Sequence, residues 1–539
     1  MSSCQQLLCI ADLEGCLENQ FGTKQNITMC KKETFNAINN YLKIPGNHVA
    51  FLGDYFDQGP HMVSSINGIA NLKILYTNKV HIILGNRDLN KMRINIEKDM
   101  IEEKYTNVWT MWKKGLEGID AAVPIGDLPR TEYLLGSTYG APKLLEHLST
   151  ELEITREDAL DLFGKIFSND VLPDAPVPTP ESSNNKDIVL TVFIRSCRIL
   201  FEHGKIMEKV MVGEKNVLLS HGGSFNGHIF DNANLPKIES VISDEFTRAD
   251  YFGKMEVCRN TLERTDVDGN PNENIDTVIN AYNTFYKDVL AIVKGSDIKN
   301  IRTNPNYHML QAMGLKGKNF GSPIESCIFN GGCNSDHQIK DIPDKLKNYL
   351  TTNKIDIISH GHIPFCGTVP LIYKNNGIIF VSNDVSNGNR PGYEGVNTEL
   401  KNIPLSCIGA SDVGICSLNY NGSLNKATDE IGAYKNSKTA GEPTDKDYYR
   451  GLVKTYVKDD SIPEHTFINK FFETGVNELG NPLMFKPMHK ITNTDNDAAK
   501  EGGKKGKKSR KGRQSKKAKK GNRKTKKLSK QRRKRINTK

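Results

Sequence analysis

The chain has 539 residues, 37% hydrophobic and 25% charged, with a formal net charge of +10; that length leaves room for roughly two to four domain-sized units, each able to bury a core without disulfide or metal staples. The charge is uneven, because positions 501–539 hold 21 Lys and Arg against one acidic residue and leave 52 basic and 62 acidic residues in positions 1–500, so this is an acidic body carrying a basic tail. No stretch approaches the roughly 18 apolar residues of a membrane span, the N-terminus lacks a basic region followed by an apolar one, and eleven scattered cysteines contain no Cys-x-x-Cys; a transmembrane or secreted protein is therefore not expected, and a reducing compartment, cytosol or nucleus, is.

In chain order, five short apolar runs each end in polar residues able to ligate metal. Leu7-Leu-Cys-Ile-Ala11 leads into Asp12-Leu-Glu14, and Val49-Ala-Phe-Leu52 into Gly53-Asp54-Tyr-Phe-Asp57-Gln58-Gly59. After a crossover helix within 60–79, Val80-His-Ile-Ile-Leu84 leads into Gly85-Asn86-Arg87-Asp88. Residues 90–185 read as a helical insertion, patterned around Leu144–Leu148 and Ala159–Phe163, and close on a Pro-rich loop. An amphipathic stretch over 194–212 precedes the fourth run, Val217-Leu-Leu-Ser220, which leads into His221-Gly222-Gly223. A second insertion, 236–350, is expected to be helical over 275–293, and the fifth run, Ile355-Asp-Ile-Ile-Ser359, leads into His360-Gly361-His362. Further strands are expected at 371–373, 377–381 and 413–419. The core thus comprises 1–89, 186–235 and 351–425, followed by an extension of unassigned role at 426–495. A Lys/Arg/Gly/Ser tail at 496–539 has nothing to bury and is expected to be disordered.

Short β-branched runs bounded by turn residues are buried strands, and ligands of α/β sheets bind beyond strand carboxyl ends. The residues collected there are three carboxylates (Asp12, Glu14, Asp54), one amide (Asn86) and three imidazoles (His221, His360, His362). A mixed oxygen and nitrogen set without thiolate suits Mn, Fe or Zn, and seven ligands are too many for one ion. Two divalent or trivalent ions sharing a bridging water can activate it as hydroxide and clamp a phosphoryl group.

These motifs, in this order, resemble the calcineurin-like metallophosphoesterase family, and Phe51–Asp57 with Ser220–Gly223 resemble its serine/threonine protein phosphatase branch. The resemblance covers about a quarter of the chain. It implies a sandwich of two mixed β-sheets flanked by helices. One ion would be held by Asp12, Glu14, Asp54 and His362, and a second by Asp54, Asn86, His221 and His360. It also implies a metal-dependent phosphohydrolase acting on phosphate esters or anhydrides.

Three positions depart from the family pattern: Glu14 stands for His, Gln58 for Arg and Arg87 for His. Glu14 still suits a hard cation, whereas Gln58 loses a bidentate phosphate clamp. Arg87 stays protonated near neutral pH and cannot protonate a leaving alkoxide as the family His does. Oriented by Asp88 or Asp57, Arg87 is expected to grip substrate oxygens, which favours good leaving groups over alkyl phosphoserine. Phosphoprotein, nucleotide and RNA-end substrates stay open, as does a catalytically impaired metal-binding scaffold. The tail calls for an anionic partner, with nucleic acid one candidate, because clustered Lys and Arg bind phosphate backbones without sequence preference.

Other features read as structural. His81 and His203 sit in patterned segments without a partner motif, and His228 is not assigned to the site. Asp266–Asn272 has its Gly two places early for a calcium loop, and Trp109 and Trp112 read as insertion core.

Overall fold

A computed structural model describes residues 4–13, 30, 32–56, 59–94, 127–139, 141–170, 172, 186–223, 274–295, 329–330, 338–339, 344–362, 370–375, 377–384, 405–411 and 413–426. Glu14, Asp57, Gln58, Trp109, Trp112, His228, the 266–272 segment and positions 427–539, which hold nearly all of the extension and the whole tail, lie outside the described residues.

The elements run β1 (Gln6–Ile10), α1 (Lys32–Lys43), β2 (Asn47–Leu52), α2 (Met62–Leu75), β3 (Val80–Ile83), α3 (Asn86–Met92) and α4 (Asp127–Leu134), continued by a π-helical turn, Leu135–Tyr139. Then come α5 (Leu144–Leu152), α6 (Arg156–Ile166), α7 (Lys186–His203), β4 (Met207–Val212), β5 (Lys215–Ser220) and α8 (Ile275–Lys294). The remainder is β6 (Phe329–Asn330), β7 (Gln338–Ile339), α9 (Asp344–Thr352), β8 (Ile355–His360), β9 (Leu371–Asn375), β10 (Ile378–Ser382), β11 (Leu405–Gly409), β12 (Val413–Leu418) and β13 (Leu424–Lys426). No helix among the described residues is long and apolar enough to cross a membrane.

Two mixed sheets carry the fold, in the orders β13-β12-β11-β1-β2-β3 and β4-β5-β8-β10-β9. Each is centred on three adjacent parallel strands, β1-β2-β3 in the first and β5-β8-β10 in the second. Parallel strands are covered on both faces, so their sequences are nearly continuous apolar runs, and all six residues of β2 are buried. Register keeps the strand ends level, with Leu52 beside Ile83 and His360 beside Ser382. The polar residues that follow each strand therefore collect at one edge.

Main-chain bonds join the sheets. Leu84 N–H donates to the Lys205 carbonyl and Lys205 N–H to that of Ile82, both at 2.9 Å, while Gly213 N–H donates to Cys4 at 2.8 Å. The insertion helices are fastened to the core by Glu151 of α5, whose oxygens accept the Val63 and Ser64 N–H groups at 2.9 Å each. These are orphan donors of the first turn of α2, which a carboxylate satisfies well. Burial pushes the Glu151 carboxyl up to about 7 against those two donors.

Three features differ from the sequence reading. The 194–212 stretch is not one amphipathic element: α7 ends at His203, and Met207–Val212 forms a hairpin with β5 across the two-residue turn Gly213-Glu214. Strands β11 and β13 and helix α1 were not singled out in sequence. Finally, Cys30 is disulfide-bonded, whereas Cys4, Cys9, Cys197, Cys407 and Cys416 are buried thiols.

Candidate metal centre

The site is assembled where β1, β2, β3, β5 and β8 end. Asp12, Asp54 and Asn86 come from the first sheet, and His221, His360 and His362 from the second. Asp54, His221 and His362 each present a ligand atom within 4.8 Å of the others. His221 Nε2 lies 3.3 Å from Asp54 Oδ1 and 3.2 Å from Asn86 Oδ1. His362 Nδ1 lies 3.1 Å from the same Asn86 oxygen, and the two imidazoles meet edge to face with centroids 5.1 Å apart.

Backbone contacts hold this cluster together. His362 N–H donates to Asp12 Oδ2 at 3.0 Å, Asp12 N–H to the Gly53 carbonyl at 3.1 Å, and Gly361 N–H to the His221 carbonyl at 3.0 Å. Gly53, at φ 94°, lets β2 turn into the site. A Cβ there would lie 2.6 Å from both Gly85 N and His221 Nδ1.

The donor chemistry fits a cation. His221 Nδ1 donates to the Leu52 carbonyl at 2.6 Å, so its Nε2 is the atom turned toward the Asp54 and Asn86 oxygens. A carbonyl partner on one ring nitrogen is the usual device for fixing which nitrogen ligates. Acceptor atoms aimed at one another repel unless positive charge lies among them. That positive charge can be a proton as well as a metal ion: burial would lower the His221 imidazole, but the Asp54 and Asp12 carboxylates raise it to about 10, so Nε2 holds toward Asp54 a proton that a bound cation would replace. Burial likewise opposes ionisation of Asp54, yet His221 and Arg87 hold its carboxyl well below the ordinary range. His360 differs, because burial pushes it down to about 4 and its Nδ1 donates to the Gly361 carbonyl at 3.1 Å. Gly223 packs directly on its ring. A neutral imidazole of that kind is ready to ligate.

Arg87 and Asp88 part company at the start of α3. Arg87 turns to Asp54, its backbone N–H donating to Oδ1 at 3.0 Å and its Nε lying 3.3 Å from Oδ2. Asp88 is fully buried behind the site and accepts backbone N–H groups instead, from Gly85 at 2.8 Å, Asp54 at 2.9 Å, Tyr55 at 2.8 Å and Phe56 at 3.4 Å. The expected orientation of Arg87 by Asp88 is therefore replaced by pairing with Asp54, because Asp88 is consumed in closing the loops after β2 and β3. Asp57, the other expected partner, lies outside the described residues, as does Glu14.

Asn383, absent from the sequence reading, supports the site from behind. Its amide reaches Ser359 Oγ at 2.9 Å, the His360 carbonyl at 3.0 Å and the Val381 carbonyl at 3.1 Å, while its Oδ1 accepts from Ser406 of the other sheet. The signal was available: Ile378–Ser382 ends in Asn383-Asp384, the same apolar-to-polar transition as the five motifs. His81, read as structural, is buried and bonded to His48 and Glu208.

No protein-family model matches the chain. Two curated relatives, both provisionally named serine/threonine-protein phosphatases, are 26% identical over 144 residues (Encephalitozoon cuniculi) and 27% identical over 70 residues (Caenorhabditis elegans). These alignments cover 26% and 13% of this chain, and only 31% and 15% of the relatives. Among solved structures, a cold-active protein-tyrosine phosphatase of a psychrophilic Shewanella aligns over 79% of this chain and 80% of its own, at 12% identity and a TM-score of 0.35.

Proposed function

We propose that this chain is a metal-dependent phosphohydrolase of the calcineurin-like metallophosphoesterase type, with a phosphorylated protein, nucleotide or RNA end as substrate. One observation carries the reading. Of the five non-glycine residues with positive φ among those described, three are candidate ligands: Asp12 at 49°, Asp54 at 54° and His362 at 73°. Left-handed backbone costs on the order of 1 kcal/mol or more at each such residue, and it persists where function needs a side chain aimed against local preference. The two partially matching relatives, named as phosphatases, point the same way.

In this reading Asp12, Glu14, Asp54 and His362 hold one Mn, Fe or Zn ion, and Asp54, Asn86, His221 and His360 a second. Such ions, when bound, supply Lewis acidity and lower the pKa of the attacking water. The chain's own groups do the rest. His221 is kept in one tautomer by Leu52, and Asp88 and Asn383 hold the loops that carry the ligands. Arg87 binds phosphoryl oxygens through a fork of donors. It does not release its proton near neutral pH, so the leaving group departs without a proton from this position. Anhydrides and aryl phosphates are then hydrolysed in preference to alkyl phosphoserine.

The test uses the full chain with Mn2+, an aryl phosphate and a phosphoserine peptide, beside an Asp54→Asn control. Metal-dependent turnover that disappears in the control is expected. Metal binding without turnover would make the chain a scaffold, and failure to bind metal would overturn the reading. Replacing Arg87 by His should raise phosphoserine turnover, and unchanged or lower turnover would count against the role given to Arg87.

A further inference from the structure

We propose that Arg87 is an internal cation competing with metal for Asp54, so that its charge limits how tightly this carboxylate can hold a metal ion; the proposal rests on the metal-dependent reading above. Arg87 engages both oxygens of Asp54. The backbone N–H reaches Oδ1 at 3.0 Å, which any residue at this position except Pro can do, while Nε approaches Oδ2 at 3.3 Å, which depends on the side chain. The guanidinium therefore adds a full positive charge where an incoming cation must bind. Asp54 is buried and the Arg87 side chain is only 17% exposed, so solvent screens the two charges less than at an open surface. Arginine cannot relieve the conflict by losing its proton. A metal ion at Asp54 must either displace the guanidinium or sit beside it. Asn86, a candidate ligand, immediately precedes Arg87 in the first turn of α3, so ligand and competitor are carried by one short helix.

The experiment measures Mn2+ binding to the full chain from the electron paramagnetic resonance signal of the free ion, for the wild type and for Arg87→Met, Arg87→Gln and Arg87→Lys. The two neutral variants are expected to bind Mn2+ at least about tenfold more tightly than the wild type, whereas Arg87→Lys, which keeps the charge, should stay within about threefold. Two neutral replacements guard against one of them failing to fold, as judged by thermal unfolding without metal. Equal affinity in the neutral variants and the wild type overturns the proposal, as does tightening in the Lys variant to the level of the neutral ones. If no variant and no wild-type sample binds Mn2+, the metal-dependent reading itself fails and the proposal with it.

Discussion

The backbone N–H of Asp54 donates to Oδ2 of Asp88 at 2.9 Å, and the same oxygen accepts the Gly85 N–H at 2.8 Å. One buried carboxylate thereby fixes the end of β2 against the end of β3, which sets Asp54 relative to Asn86. Asp88→Asn would turn an amide N–H toward backbone donors and leave at least one of them unsatisfied. A loss of about 1–3 kcal/mol in urea unfolding is expected, together with weaker Mn2+ binding, although residue 88 is not itself assigned as a ligand.

Gly53 tests how narrowly the site is built. Alanine there must adopt φ near 94° and bring its Cβ within 2.6 Å of Gly85 N and His221 Nδ1. Strained backbone and overpacking together should cost at least about 2 kcal/mol. Thermal unfolding measures the loss, and the ring-proton NMR signals of His221 should shift, because its bond to Leu52 is the contact displaced.

Asn383→Ala removes the amide that joins Ser359 and the His360 carbonyl to Ser406 of the other sheet. The Ser359 and Ser406 hydroxyls lose their shared partner, while the His360 carbonyl keeps the backbone N–H of residue 383 at 2.7 Å, and a loss of about 1–3 kcal/mol is expected. Mn2+ affinity should fall as well, since the loop that carries His360 loses its side-chain tie to Ser406 of the other sheet. Destabilisation with unchanged affinity would show that Asn383 acts on the fold alone.

A pH effect is expected from the inter-sheet polar pair. His81 Nδ1 faces Glu208 Oε2 at 3.1 Å, its Nε2 lies 3.1 Å from His48 Nδ1, and His48 Nε2 is buried with no hydrogen-bond partner among the described residues. Burial, followed by the charges of His81 and Lys79, pushes His48 down from 6.5 to about 4, although Glu208 opposes them. Between those two values the unfolded chain binds more protons than the folded one, so stability falls as pH drops from 6.5 toward 4, by up to about 1.4 kcal/mol per pH unit for this one group. Urea midpoints measured across that window should show the slope, and His48→Gln should flatten it.

The strands and the chemistry at their ends are encoded locally. Leu7–Ala11, Val49–Leu52, Val80–Leu84, Val217–Ser220 and Ile355–Ser359 are apolar runs that break into polar residues, a local pattern that needs no knowledge of distant neighbours. Asp12, Asp54, Asn86, His221, His360 and His362 could be named for that reason. What those residues, and the ones behind them, are bonded to was decided only by tertiary structure. The His362 N–H meets the Asp12 carboxylate across 350 positions of chain, and Asp88 meets Asp54 across 34. Adjacent residues Arg87 and Asp88 both meet Asp54 but in different ways, Arg87 at its carboxylate and Asp88 at its backbone N–H, because Asp88 is buried among the N–H groups of the loops after β2 and β3. Asn383 became visible only when β10 lay beside β8. Strand-forming propensity is a property of a few consecutive side chains, whereas the partner of a buried polar group is whichever donor or acceptor the packing of two sheets brings within about 3 Å.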